Sequence, residues 1–247
     1  MDRLIYSSLA AMRSAMSRQA SVANNLANAN TTGFRGEMAN AQSLWIQGKG
    51  LNGRATVSGE VQGADMKAGV VAETGRDLDV AVNGDALLTV QASDGSEAYT
   101  RRGDLQVSDS GLLTTGDGVP VLGEGGPITL PPAGSVSIAK DGSIWIVPQG
   151  GDAANPQQVD KLKLVSAQGS KIAKGLDGLF RVNGGGALPA DPDARVTSKS
   201  LEGSNVNASE AMIAMIDTAR SWETQVKMLT TAQDLDKSTA ELMQLPE

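Results

Sequence analysis

MDRLIYSSLAAMRSAMSRQASVANNLANANTTGF, residues 1–34, carries a stripe of apolar or small side chains whose spacing alternates between four and three. The stripe has one polar member, Gln19, among Ile5, Leu9, Met12, Met16, Ala23 and Leu26. This heptad spacing is typical of a helix that packs lengthwise against another helix, so we predict a helix over residues 2–28. The run Asn30-Thr31-Thr32-Gly33 supplies helix-ending residues, which places the end of the helix near Ala29 to Gly33.

The other end of the chain, about residues 207–244, repeats this pattern. Asn207 or Ser209 could cap a second helix, with Glu210 in its first turn. The stripe again runs at steps of three and four, and its members are Met212, Met215, Ala219, Trp222, Val226 and Leu229. We therefore predict two terminal helices that pair with each other, and with neighbouring copies of the chain, as a coiled-coil-like hairpin.

Between the helices the periodicity changes to short apolar runs separated by turn signals. Asp141-Gly142 and Asn183-Gly184 favour tight hairpin turns. We predict an all-β domain over about residues 76–200. Residues 36–75 have weak periodicity and many glycines, and we predict an extended connector there. The fold class is therefore α+β, with terminal helices at 1–35 and 201–247 around a central all-β domain.

The composition excludes several classes of protein. The 247 residues contain no cysteine and no histidine, so thiolate chemistry and the commonest general base and metal ligand are absent. The net charge of −7, without a basic cluster, argues against nucleic acid as a partner. No apolar run is long enough for a transmembrane helix, so we expect no membrane insertion. We expect no catalytic residues, no metal, no cofactor and no small-molecule ligand.

The two predicted helices differ in charge. Residues 1–35 contain four arginines and one aspartate, a net charge of +3, whereas residues 207–247 contain seven acidic and three basic residues, a net charge of −4. Helices of opposite sign attract each other and are discouraged from pairing with their own kind. An exposed ion pair contributes only about 0.2–1 kcal/mol, so the charge sets the choice of partner more than the strength of binding.

Two runs resemble the terminal signatures of the flagellar rod, hook and hook-associated proteins. They are Ala23-Asn24-Asn25-Leu26-Ala27-Asn28-Ala29-Asn30-Thr31-Thr32-Gly33-Phe34 and Leu201-Glu202-Gly203-Ser204-Asn205-Val206-Asn207, the second followed by Met212, Ile213 and Arg220. Residues 75–84 and 99–103 resemble the β domain of the rod subgroup. The opening residues 1–6 and the length resemble its proximal-rod branch. One departure is Ala86-Leu87-Leu88, where the family commonly has glycine and two phenylalanines.

The resemblance implies a structural subunit of the bacterial flagellar basal-body rod, in its proximal part, and not an enzyme. Such a subunit self-assembles through its terminal helices and transmits torque towards the hook. The implied partners are other copies of the chain, neighbouring proximal and distal rod proteins and the flagellar type III export apparatus. The implied location is the rod where it spans the periplasm, reached without a cleaved signal peptide. Two alternatives stay open: a distal rod protein of the same family, and a secreted peptidoglycan-acting enzyme.

The candidate assembly interface combines both stripes with the two signatures. For the asparagine-rich run, one hypothesis is a fraying helix end with caps, and the other is a polar ladder that fixes the register of subunit contacts. We favour the ladder, and we expect Thr32-Gly33-Phe34 to form a fixed turn with Phe34 as an anchor. The predicted interface comprises Ile5, Leu9, Met12, Met16, Asn24, Asn25, Leu26, Asn28, Asn30, Gly33, Phe34, Asn205, Val206, Asn207, Met212, Met215, Ala219, Arg220, Trp222, Val226 and Leu229.

Overall fold

The computed structural model describes residues 2–45, 55–150 and 155–243. The chain divides into two compact units. The helical unit comprises Met1–Ala27, Glu37–Gly63 and Asn207–Glu247, and the β unit comprises Asn28–Gly36 and Ala64–Val206. This division confirms the α+β class, with helices at the two ends and antiparallel strands between them.

The helical unit contains the two predicted helices. Helix α1 covers Asp2–Ala27 and helix α2 covers Ala208–Met243, and each is the main packing partner of the other. The helix predicted over residues 2–28 therefore ends one residue earlier than expected. Asn207 is the N-cap of α2, because its Oδ1 accepts hydrogen bonds from the backbone N–H groups of Ser209 at 3.0 Å and Glu210 at 3.4 Å.

Residues 36–75 differ from the predicted connector. Strands β1 (Glu37–Trp45) and β2 (Ala55–Ala64) form a two-stranded sheet, and β1 contacts α1. A third strand, β3 (Val71–Glu73), pairs with the segment just before α2. The alternation of apolar and polar residues that indicates a strand is weak in these segments.

The β unit consists of short antiparallel strands. After β3 they are β4 (Val80–Val82), β5 (Ala86–Gln91), β6 (Glu97–Thr100), β7 (Leu105–Val107), β8 (Leu113–Thr115), β9 (Leu122–Gly123), β10 (Gly126–Pro127), β11 (Ala133–Ile138), β12 (Ser143–Pro148), β13 (Gln157–Lys161), β14 (Leu164–Ser166), β15 (Ile172–Lys174), β16 (Phe180–Val182), β17 (Val196–Ser198) and β18 (Ser200–Glu202). The largest sheet has five strands in the order β14-β5-β6-β16-β15, and β11-β12-β13 form a second sheet. The other pairs are β9 with β10, β4 with β17, β3 with β18 and β7 with β8.

Strand β5 lies between two apolar clusters of this unit. Leu88 and Val90 belong to the larger cluster, which is built mainly from Val, Leu and Ile, while Leu87 packs with Tyr99 and Phe180 in the smaller one. Successive side chains of a strand point to opposite faces, so β5 is covered on both. Leu87 and Leu88 are fully buried, which explains why leucine serves at positions where the family commonly has phenylalanine.

The predicted turns are confirmed in part. Asp141-Gly142 connects the paired strands β11 and β12, and Gly142 adopts a positive φ of 85°. Asn183-Gly184 also lies in a turn, in which the Gly185 N–H donates to the Val182 carbonyl oxygen, but the predicted hairpin is wrong. The reason is that the next strand, β17, pairs with β4 in a different sheet and not with β16.

Within the described ranges, none of the helices is both long and apolar enough to cross a membrane. Across the same residues, acidic side chains do not gather into a group of three or more that could hold a metal ion.

Candidate assembly interface

The contact between α1 and α2 is lined by small side chains. Among the described helix side chains, Ala15 and Ser21 of α1 are buried, and Ser21 lies about 120° around the helix from Ala15. The buried side chains of α2 there are Ala211, Thr218 and Ala232. On α2 these three belong to a continuous seam at steps of four and three. Its members are Ala211, Met215, Thr218, Trp222, Gln225, Leu229 and Ala232, which are all buried or half-buried. Small side chains at alternate positions let two helices approach closely.

Only part of each predicted stripe lies inside this contact. Met12 and Leu26 of α1, and Met215, Trp222 and Leu229 of α2, are half-buried. The alternate members of each stripe face outward: Leu9, Met16 and Met212 are 41%, 57% and 52% exposed, and Ala23 and Val226 are also exposed. The single chain therefore leaves a large apolar surface uncovered on its helical unit, which is typical of a surface that binds another protein.

The remaining predicted interface residues are distributed as follows. The exposed ones are Asn30, Asn207 and Arg220, Ala219 is half-buried, and Ile5 lies in α1 with its side chain outside the described residues. Half-buried positions outside the helix contact are Asn28, Phe34, Asn205 and Val206, while Gly33 is buried. The interface itself stays a prediction, because the structure contains a single chain.

Amides of the asparagine-rich run have partners within the chain. Asn24 Nδ2 donates to a carboxylate oxygen of Glu37 at 2.5 Å. Asn25 Nδ2 donates to the Glu37 carbonyl oxygen at 2.9 Å, and Asn25 Oδ1 accepts from the Glu37 N–H at 2.7 Å. These bonds join the last turns of α1 to the first residue of β1. In the β unit, Asn28 Oδ1 accepts from the Thr31 hydroxyl. The run therefore fixes the end of the helix; a ladder between subunits remains a prediction.

Parts of the two signatures meet in the β unit, in an arrangement that we call the clasp, formed by residues 33–36, 65–69 and 202–205. The Gly33 N–H donates to the Glu202 carbonyl oxygen at 2.7 Å, and the Gly36 N–H donates to Asn205 Oδ1 at 2.8 Å. Asn205 Nδ2 in turn donates to the carbonyl oxygens of Asp65 at 2.7 Å and Lys67 at 3.1 Å. One asparagine thus holds two other segments in place.

Two glycines let the clasp close. Gly33 has a φ of +66°, and a Cβ atom there would collide with the backbone of Arg101. A Cβ atom at Gly69 would collide with the carbonyl oxygen of Gly203. The predicted fixed turn at Thr32-Gly33-Phe34 is confirmed, and Phe34 is anchored by the Lys174 ammonium group, which lies 3.6 Å from the centre of its ring.

A buried ion cluster lies at the centre of the clasp. Arg35 Nη2 is 2.6 Å from Glu202 Oε1, and Arg101 Nε is 3.6 Å from Glu202 Oε2. The Gly69 N–H also donates to Glu202 Oε1, at 2.8 Å. All three charged side chains are at most 2% exposed. Burial lowers the pKa of the Arg101 guanidinium, and the Glu202 carboxylate opposes that shift. Because two cations share one anion, removal of Glu202 would leave two buried positive charges uncompensated.

Four residues of this region were not predicted from the sequence as site residues: Arg35, Arg101, Glu202 and Lys174. Arg35 directly follows the first signature, and Glu202 lies within the second. The signal in the sequence was a charged residue in or beside a motif of small and polar residues. Their pairing, over a separation of 167 residues, could not be inferred from spacing. The clasp orders the chain segments that follow α1 and precede α2 in the sequence.

The opposite charges of the helices are not satisfied within the described part of the chain. Arg13 of α1 and Glu223 of α2 are exposed, and neither is in an ion pair among the residues whose side chains are described. The predicted attraction between α1 and α2 therefore does not take the form of a contact at these residues. Their charges remain available to another molecule.

Three family models match successive parts of the chain. "Flagella basal body rod protein" matches residues 5–35, "Flagellar hook protein FlgE/F/G D1 domain" matches 81–146, and "Flagellar basal body rod FlgEFG protein C-terminal" matches 197–242. The flagellar basal-body rod protein FlgF of Salmonella typhimurium is 41% identical over 99% of this chain and 100% of its own length. The chain belongs to the family of flagellar basal-body rod proteins. Among other rod-family relatives, FlgF of Escherichia coli is 43% identical over 95% of each chain, and FlgG of Bacillus subtilis is 30% identical over 95% of this chain and 97% of its own.

The family models coincide with the structural parts. The first and last matches include most of α1 and most of α2, together with Gly33 and Glu202 of the clasp, and the middle match lies in the β unit. The rod-family resemblance found in the two signatures is thereby confirmed. The basal body of the flagellum is the location that this family membership supports.

Proposed function

We propose that this chain is a structural subunit of the proximal flagellar rod, which assembles through its helical unit and transmits torque towards the hook. The observation that carries this proposal is the uncovered apolar surface of α1 and α2, on a chain that matches rod proteins over nearly its whole length. A rod subunit must contact several neighbours, and unbranched methionine side chains adapt to similar but unequal surfaces.

The rest of the chain suits a mechanical role. The β unit has its own apolar core, and the clasp fixes the chain segments next to both helices through buried ions and backbone hydrogen bonds. The proposed partners are other copies of the chain, neighbouring rod proteins and the type III export apparatus. The proposed location is the rod within the periplasm, and export without cleavage remains a prediction that mass spectrometry of chains from basal bodies can check.

A distal rod protein of the same family is the second candidate. The FlgF relatives from Salmonella typhimurium and Escherichia coli, at 41% and 43% identity, favour the proximal assignment over FlgG of Bacillus subtilis at 30%. A peptidoglycan-acting enzyme is the third, and it requires a cleft with a general acid and a second carboxylate. A cell-wall lysis assay with purified protein tests that reading, and we expect no lysis.

The proposed function is tested by substitutions inside the helix contact. Leu26→Asp and Leu229→Asp each place a carboxylate at a half-buried seam position, where an unpaired charge costs on the order of several kcal/mol. We expect either variant to be exported but absent from purified basal bodies, with motility lost. Thr231→Asp is the matched control, since it adds the same charge at an exposed position of α2 away from the helix contact.

The β unit provides the second readout. Its thermal transition should be unchanged in both seam variants, because the substituted residues belong to the helical unit. The proposal is wrong if either variant builds normal rods, or if the wild-type chain is missing from purified basal bodies.

A further inference from the structure

A second heptad seam runs along the outward face of each helix. On α1 its members follow at steps of four and three and are all exposed: Leu9, Arg13, Met16, Ala20, Ala23 and Ala27. On α2 the corresponding seam is exposed except for the half-buried Ala219: Met212, Ile216, Ala219, Glu223, Val226 and Thr230. A heptad seam of this kind is the geometry by which one helix packs lengthwise against another, and here the partner is missing.

The two outward seams complement each other in charge. Each contains one charged residue, Arg13 on α1 and Glu223 on α2, among apolar, small or hydroxyl side chains. Neither residue has an ion-pair partner within the described side chains. A seam paired with its own copy in register would bring like charges together, which disfavours that arrangement.

The seams also complement each other in size when they run in opposite directions. Alignment of Arg13 with Glu223 then places Met16 opposite Ala219. The same register places small residues of α1 opposite large residues of α2, with Ala20 facing Ile216 and Ala23 facing Met212, and it sets Leu9 against Val226. Large side chains facing small ones fill the space between helices without voids.

We propose that the outward seam of α1 on one copy of the chain packs in the opposite direction against the outward seam of α2 on a second copy, with Arg13 and Glu223 in contact. This assignment rests on the proposed function and specifies which surfaces meet. The two surfaces are unlike, so the contact is head-to-tail, and each copy offers a free seam to the next. The exposed apolar residues of the two outward seams form the core of this interface between copies.

Cysteine cross-linking tests this register, because the chain has no cysteine of its own. Chains carrying only Met16→Cys and chains carrying only Ala219→Cys are given different tags and co-expressed, and the purified basal bodies are oxidised. A disulfide requires Cβ atoms about 3.5–4.5 Å apart, so a mixed dimer forms only if the two positions face each other. We expect that mixed dimer.

Two matched pairs serve as controls for direction and register. Met16→Cys with Val226→Cys is the pair that parallel seams would cross-link, and position 226 is about 10 Å along the helix from position 219. Met16→Cys with Gln233→Cys is about 21 Å out of register. We expect no mixed dimer from either pair. Cross-linking of the Val226→Cys pair would overturn the opposite direction, and equal cross-linking of all three pairs would overturn the register.

Charge reversal provides the second test. Arg13→Glu and Glu223→Arg should each lower the amount of chain in basal bodies by about fivefold. Each substitution replaces an attraction between the two helices with a repulsion. The double variant should restore it. Single variants without effect, or a double variant no better than the singles, would overturn the pairing. The proposed function would survive that result, since it fails only if Leu26→Asp or Leu229→Asp builds normal rods, or if the wild-type chain is absent from basal bodies. A chain carrying both Met16→Cys and Ala219→Cys should yield a ladder of oligomers, and dimers alone would overturn the head-to-tail arrangement.

Discussion

The two units of this chain place their large apolar side chains in opposite ways. In the β unit, Leu87 and Leu88 are fully buried. In the helical unit, small residues such as Ala15 occupy the buried positions, while Met16 and Ile216 are more than half exposed. A unit that buries its large side chains is stable by itself, since burial of each stabilises the fold by about 1.5–3 kcal/mol. We propose that another molecule covers the exposed apolar side chains of the helical unit.

The largest expected effect comes from the clasp of the β unit. Glu202→Ala should lower the free energy of unfolding of that unit by about 3–5 kcal/mol, because Arg35 and Arg101 would be left as buried charges without a counter-ion. Denaturant unfolding of the purified chain measures the change. The control is Asp177→Asn, which removes the partly exposed ion pair with Arg181 and should cost less than about 1 kcal/mol. Equal effects of the two substitutions would show that the cluster is not the centre of the clasp.

Truncation of a large apolar side chain is expected to affect the stability of the two units differently. Leu88→Ala should destabilise the β unit by about 2–5 kcal/mol, because it opens a cavity in the larger core. Ile216→Ala should change the stability of the dilute chain by no more than about 0.5 kcal/mol, since its side chain is 54% exposed. Both changes are read from the same denaturant curves. A loss of several kcal/mol for Ile216→Ala would mean that the helical unit is already complete in the single chain.

A smaller, pH-dependent effect is expected at Tyr99 in the smaller core. Burial raises the pKa of Tyr99 to about 12, and its hydroxyl donates to Glu97 and accepts from the Leu188 N–H. The phenol ionises in the unfolded chain near its ordinary pKa of 10 before it does so in the folded chain. Stability from this group is therefore complete below pH 10 and is lost as the pH rises through about 12.

The variant Tyr99→Phe isolates that contribution. It should be less stable than the wild type at neutral pH by about 1–3 kcal/mol, because the Leu188 N–H loses its buried acceptor. The difference in the free energy of unfolding between the two proteins should shrink as the pH rises from 10 towards 12. A difference that stays constant across that range would contradict a raised pKa. The comparison of Tyr99→Phe with the wild type reports on the β unit alone, because Tyr99 lies in that unit.

Much of the fold could be predicted from the sequence, and the features that could not be predicted have physical causes. The heptad stripes predicted both helices, and turn residues predicted strands such as β5 and β12. The split of each stripe into an inner and an outer half could not be predicted, because buried alanine and threonine give a weaker apolar signal than exposed methionine. Strand β13 gave no apolar run in the sequence, because Val159 is the only apolar residue of Gln157–Lys161. The clasp was missed because its ions come from three distant parts of the chain.

We propose that the β unit is complete in the single chain, whereas neighbouring molecules complete the helical unit. Hydrogen exchange of backbone amides, measured on the dilute chain and on purified basal bodies, tests it most directly, since exchange reports local opening. We expect the amides of β5 and β6 to be equally protected in both samples, and those of α1 and α2 to be protected only in the basal bodies. Strong protection of both helices in the dilute chain would contradict the claim.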